Sequence, residues 1–300
     1  NRVYAGCDDR NVICLSDGGS FLWSRSLSGK KIAYLTMSPQ GILLEVSVSG
    51  ALTACNPDGL FLWRLSGGEV PLLPPHHGRD GRIFLAYRNR LVCVGMTGLV
   101  KWTAAVDGNA VLLSDTQGGD ILLLTPGGTL LRYSPYGTLL ETSTLPVGTT
   151  LMHPAPSGFY SGALDGVLSC YDVRARSDSD SRAGTELLWE YRGQSPCVGV
   201  ADNGGGTLCA AFADGTVAGL NATDGSPLWT VHIDQGLGYR ASLSYSYGQF
   251  NLVSSRFAAA VSGDGLIQWC HRLSPDGGYP VISEDGLVFS PSPGWKLACY

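Results

Sequence analysis

Charge is scarce in this sequence. Only 15% of its 300 residues are Asp, Glu, Lys or Arg, and no block of like charges occurs. With a net charge of −5, the chain lacks the positive field that draws proteins to nucleic acid, so no nucleic-acid partner is expected. Long apolar runs are missing too. None approaches the roughly 18 residues of a membrane-spanning helix, and the opening "NRVYAG" has the pattern of a strand rather than of a signal peptide. Either the chain is cytoplasmic or it is a mature one whose export signal has been removed. Also absent are C-x-x-C, H-E-x-x-H, a Gly-rich phosphate loop followed by Lys, and any Cys-Cys dipeptide.

What is present is glycine, 41 residues of it, and a hydrophobic content of 44% spread in short runs. That combination suits many short strands joined by tight turns. The runs repeat. Aligned on tryptophan, the copies are "CLSDGGSFLWS" (Trp23), "ACNPDGLFLWR" (Trp63), "CVGMTGLVKWT" (Trp102), "GLNATDGSPLWT" (Trp229) and "AAVSGDGLIQWC" (Trp269). A degenerate copy puts Leu140 at the marker position, and another reaches Trp189 only after an insertion. Successive markers are 40, 39, 38, 49, 40 and 40 residues apart, the 49 containing the insertion.

Three strand-like segments precede each marker, and four short strands per repeat of about 40 residues make a β-propeller blade. Middle strand pairs begin near Val3, Ile42, Ile83, Ile121, Phe159, Leu208, Phe250 and Leu287. The expectation is therefore an all-β chain, a single domain over 1–300: an eight-bladed β-propeller of four-stranded antiparallel blades, with an eighth unit at 279–300 and its closing blade incomplete. Glycine supplies the turn conformation that a tight hairpin needs. Tryptophan on the outer strand offers a broad surface to fill the wedge between blades.

The segment Leu220, Asn221, Ala222, Thr223, Asp224, Gly225 and Trp229 resembles the pyrroloquinoline-quinone (PQQ)-like repeat, and the likeness runs through the chain. This repeat family serves quinone enzymes, scaffolds and sensors alike. Its dehydrogenases resemble one another in a vicinal disulfide, an ion held by acidic residues and a catalytic Asp. None of these can be carried over here, so no enzyme and no cofactor is expected. Without them, the chain is most similar to the BamB-type lipoproteins of outer-membrane β-barrel assembly. The resemblance implies a monomeric periplasmic scaffold with a protein partner, held at the membrane only through a tether. The alternative is an extracytoplasmic sensor with a small ligand, for which Tyr239, Arg240, Tyr245 and Tyr247 are the aromatic-rich candidates.

Of nine cysteines, Cys14, Cys55, Cys93, Cys170 and Cys299 recur late in the third strand, a small-residue register that points to packing. Cys197 and Cys209 flank the "ADNGGG" hairpin almost symmetrically, which makes a disulfide between them conceivable. His76 and His77 are expected in an exposed turn of the third blade, not at a metal. "NAT" at Asn221 fits the turn sequence more simply than a glycosylation site. Recognition is expected on loops. The insertion from Arg174 to Gly184, carrying Arg174, Arg176, Asp178, Asp180 and Arg182, shares its face with His76, His77 and Arg79. Arg88, Arg90 and Arg256 occupy turns of the opposite face.

Overall fold

The structure, a computed structural model, describes residues 2–173, 184–233, 236–238, 241–273, 280–282, 288–292 and 296–299, and all their regular elements are strands. The chain forms two compact units, Asn1–Thr142 and Ser143–Tyr300.

In the first unit, one sheet comprises β1 (Arg2–Gly6), β2 (Val12–Ser16) and β3 (Phe21–Arg25), and a second comprises β4 (Ile32–Met37), β5 (Leu43–Ser47), β6 (Leu52–Cys55) and β7 (Phe61–Leu65). The third comprises β8 (His76–His77), β9 (Ile83–Tyr87), β10 (Arg90–Val94) and β11 (Val100–Ala105); the fourth, β12 (Leu112–Asp115), β13 (Ile121–Leu124), β14 (Thr129–Tyr133) and β15 (Leu139–Thr144). In the second unit, β16 (Thr149–Pro154), β17 (Gly158–Ala163), β18 (Val167–Val173) and β19 (Thr185–Arg192) form a fifth sheet, and β20 (Cys197–Asp202), β21 (Thr207–Phe212), β22 (Thr216–Asn221) and β23 (Pro227–His232) a sixth. The seventh has β24 (Ala241–Ser246), β25 (Gln249–Ser254), β26 (Phe257–Ser262) and β27 (Ile267–Arg272), and the last has β28 (Val281–Ile282), β29 (Val288–Ser292) and β30 (Lys296–Cys299). Each sheet is an antiparallel meander in chain order.

The expected eight four-stranded blades are not formed. Among the described residues six sheets have four strands and the two end sheets three each; the architecture is corrected to an all-β, seven-bladed propeller of four-stranded antiparallel blades. The overcount arises at the chain ends, where a strand pair marks a repeat in the sequence but belongs to a sheet with three strands among the described residues.

Burial follows position within the sheet. The middle strands, such as β5 and β13, are buried at every residue, and for β5 a neighbouring sheet covers each face. Leu44, Val46, Ile83 and Leu85 join the second sheet to the third, and Phe84, Leu91, Ile121 and Leu123 join the third to the fourth. In the second unit, Tyr160, Leu168, Val200 and Phe212 do the same between the fifth and sixth. Outer strands such as β3 and β7 are mostly exposed.

The recurring tryptophans link one sheet to the next. The indole N–H of Trp23 donates to Pro57 O at 3.1 Å, Trp63 to Met96 O at 2.6 Å and Trp102 to Pro135 O at 3.0 Å; in the second unit Trp189 donates to Ala222 O at 3.2 Å and Trp229 to Gly263 O at 2.8 Å. Each acceptor lies in the turn before the following sheet's outer strand. There a glycine meets the indole: a Cβ on Gly137, at φ +85°, would stand 2.6 Å from the ring of Trp102. Across the sheet from each indole sits a small residue: Cys14, Ala54, Cys93, Cys170, Gly219 or Ala260. Of the cysteine register read from the sequence, Cys14, Cys93 and Cys170 occupy the space the indole needs, whereas Cys55 lies opposite Phe61.

Candidate protein-interaction surfaces

His76 and His77 are not in an exposed turn. They form the whole of β8 and pair with Phe84 and Ile83, and the turn begins only at Gly78. Two prolines precede this strand, which keeps it short, because proline cannot donate to the ladder. Their side chains reach the first strands on either side. His76 Nε2 lies 3.2 Å from Asp115 Oδ1 of β12, and His77 Nε2 lies 2.9 Å from Thr36 Oγ1 of β4. Asp115 is buried. Burial, with His76 adjacent, holds the His77 imidazole down at about 4, so at neutral pH it is uncharged. Among the described residues, no group of three or more His, Cys, Asp or Glu is arranged to hold a metal.

Arg79 is exposed in the turn after β8, and its carbonyl accepts from Gln40 Nε2 at 3.3 Å. On the β9–β10 turn, Arg88 is exposed, while Arg90 pairs with Glu69 at 3.2 Å and lies over the Tyr87 ring at 4.6 Å. Arg256 is exposed in the β25–β26 turn of the second unit. Arg174, Arg176, Asp178, Asp180 and Arg182 lie outside the described residues, as do Tyr239 and Arg240.

The Cys197–Cys209 disulfide is corrected. The strand register sets Cys197 opposite Phe212 and Cys209 opposite Ala201, so the two never face each other, and both thiols are free and buried. The packing role of the repeated cysteines stands: Cys14, Cys55, Cys93 and Cys170 are all free and buried. Burial raises Cys55 and Cys93 to about 11 and Cys170 to about 12. The Cys299 side chain lies outside the described residues.

What the repeat analysis missed is the pair of residues ahead of each tryptophan. Phe21 and Leu22, then Leu60, Phe61 and Leu62, then Leu99 and Val100, are large apolar side chains exposed on the outer strands and their approaches. The signal was in the quoted repeats, as "FLW" occurs twice. A bulge at this position explains it: Ala54 pairs with Trp63 and Cys55 with Phe61, leaving Leu62 as the extra residue and turning consecutive side chains outward.

No family model matches the sequence, and no curated protein matches it. Solved structures do. BamB from Moraxella catarrhalis matches 100% of this chain and 96% of its own at a TM-score of 0.68 and 14% identity. Sqt1 from Saccharomyces cerevisiae matches 100% of this chain and 92% of its own at 0.74 and 10% identity. The β-propeller domain of Cps50 (Swd1) from Myceliophteria thermophila matches 84% of this chain and 89% of its own at 0.61 and 13% identity. At such identities the likeness concerns the fold, and the fold is that of a β-propeller.

Proposed function

We propose that this chain is a non-enzymatic protein-interaction scaffold built from PQQ-like repeats, acting in the periplasm in outer-membrane β-barrel assembly and held at the membrane by a tether. The observation that carries the reading is the full-length likeness to BamB, in which both chains are covered almost end to end. Exposed loops of mixed charge suit it, since propellers recognise partners through loops on a rigid frame. The scaffold performs no covalent step. Within the first unit it exposes Arg88 and Arg90 on the β9–β10 turn and Arg79 on the turn after β8.

The test is an affinity pull-down from an envelope fraction, comparing the intact protein with a variant whose Arg174 to Gly184 loop is replaced by a short Gly-Ser turn. Recovery of a barrel-assembly protein supports the scaffold, and its loss with the variant assigns the contact to the insertion. Recovery of no such protein by either form overturns the reading. A second reading, a small-ligand sensor, is favoured by one observation, the polar pairs His76–Asp115 and His77–Thr36 on the first strands. It predicts a small-ligand affinity that His76→Phe abolishes.

A further inference from the structure

Of the asparagines in the chain, Asn203 alone precedes a glycine. It opens the turn between β20 and β21, whose tip is three consecutive glycines, Gly204, Gly205 and Gly206, all exposed to water. Glycine lets a backbone nitrogen be approached closely because it carries no side chain. A Cβ built on Gly204, at φ +68°, would meet nothing within 4 Å, so no neighbouring group crowds this nitrogen.

The hydrogen bonds of the turn gather the parts of an acyl-transfer site around the Asn203 amide. The Gly204 N–H donates to Asp202 Oδ1 at 2.7 Å, within the reach a general base needs. Asp202 is itself held from below, because the hydroxyl of buried Tyr160 donates to its Oδ2 at 3.2 Å. Asn203 Oδ1 accepts from the backbone N–H of Gly205 at 2.7 Å and of Thr207 at 2.9 Å. Two backbone donors at that range stabilise negative charge developing on the oxygen they point to. A nucleophile, a base and an oxyanion site therefore stand within three consecutive residues and the strand that follows them.

We propose that Asn203 is a self-modification site, at which Gly204 N attacks the side-chain amide and the asparagine becomes aspartate or isoaspartate. The bond from Gly204 N to Asn203 Cγ forms as the nitrogen's proton passes to Asp202. The oxyanion on Oδ1 is held by Gly205 and Thr207. The Cγ–Nδ2 bond then breaks with the proton returned to Nδ2, so ammonia leaves and a five-membered succinimide remains. Water is the one co-reactant: its attack on Cγ opens the ring to aspartate, and its attack on the backbone carbonyl opens it to isoaspartate. Nothing is oxidised or reduced. Either product adds a negative charge beside Asp202, and isoaspartate also adds a methylene to the backbone between β20 and β21. Since the released ammonia is not regained, the converted fraction rises with the age of the chain. The inference is independent of the scaffold reading.

The test compares the full chain with a capped peptide of sequence "ADNGGGTL", incubated together at neutral pH and followed by peptide mapping, with isoaspartate separated from aspartate and asparagine by chromatography. The peptide has the same residues but no fixed carboxylate or oxyanion donors, so residue 203 should convert at least about tenfold faster in the chain. Asp202→Asn keeps an acceptor for Tyr160 and removes the base. It should slow conversion in the chain by at least about tenfold and have little effect in the peptide. Circular dichroism of this variant checks that the strands are retained. The inference is overturned if the chain converts no faster than the peptide, since the turn would then protect Asn203. It is equally overturned if Asp202→Asn leaves the rate in the chain unchanged, or lowers it in chain and peptide alike.

Discussion

Replacing Gly137 with Ala tests the contact between one sheet's tryptophan and the next sheet's turn. Two costs are expected. At φ +85°, Ala adopts the left-handed conformation at about 1–2 kcal/mol. Its Cβ would also stand 2.6 Å from Trp102 Cδ2, and relieving such overpacking costs about 1–3 kcal/mol more. The expected total is about 2–5 kcal/mol, and the two parts can be separated. In a Trp102→Ala background the ring is gone, so Gly137→Ala should cost only the backbone share. The coupling between the two substitutions should therefore be about 1–3 kcal/mol in the sense that each relieves the other. Urea unfolding followed by far-ultraviolet circular dichroism measures all four corners of the cycle without using the indole as reporter. Equal cost of Gly137→Ala in both backgrounds would show that the turn conformation matters and the indole contact does not.

Three further outcomes are expected. His77 has a folded value of about 4 against an ordinary 6.5, so the unfolded chain takes up the proton first. Its contribution to stability is complete above pH 6.5 and is lost as pH falls towards 4, by about 3 kcal/mol at most. Unfolding midpoints of His77→Gln measured across that window should show a flatter pH dependence, and an unchanged slope would refute the assignment. Arg132 is buried, with its Nε 3.5 Å from Asp120 and its guanidinium 3.3 Å from Glu141. Arg132→Ala and Arg132→Met should each cost about 3–5 kcal/mol, because removing the cation leaves the Asp120 and Glu141 carboxylates behind. Finally, iodoacetamide mapped by mass spectrometry at pH 8 should label exposed Cys270 well before Cys55, Cys93, Cys170, Cys197 and Cys209, which are buried. Equal labelling of these buried thiols in the native state would contradict their packing.

The strands were legible because each repeat carries its own punctuation. Glycine turns and the tryptophan spacing located the middle and outer strands, and three of the residues opposite the indoles, Cys14, Cys93 and Cys170, were visible in the cysteine register. First strands were harder. β8 has two residues after a pair of prolines, too few for any alternation to show, so His76 and His77 looked like turn residues. Their partners, Thr36 and Asp115, lie roughly 40 residues away on either side, and pairing at that distance is set by how neighbouring sheets pack. The disulfide expectation failed on register. Apparent symmetry about "ADNGGG" set the turn too early: β20 runs on to Asp202, which pairs with Leu208, so Cys209 meets Ala201, four residues from Cys197. The blade count failed for another reason: a repeat marker records that a strand pair exists, not that its sheet is complete.

The direction of the indole contacts bears on how the chain is made. Every donor lies upstream of its acceptor, Trp23 by 34 residues and Trp63 by 33. A ribosome synthesising this chain therefore releases each tryptophan before the turn that will cover it exists. At about 5–20 residues per second, each indole waits roughly 2–7 seconds for its acceptor. During that interval the newest sheet of the nascent chain shows an unshielded aromatic face, and each later repeat acts in turn as the temporary chaperone of the one before it.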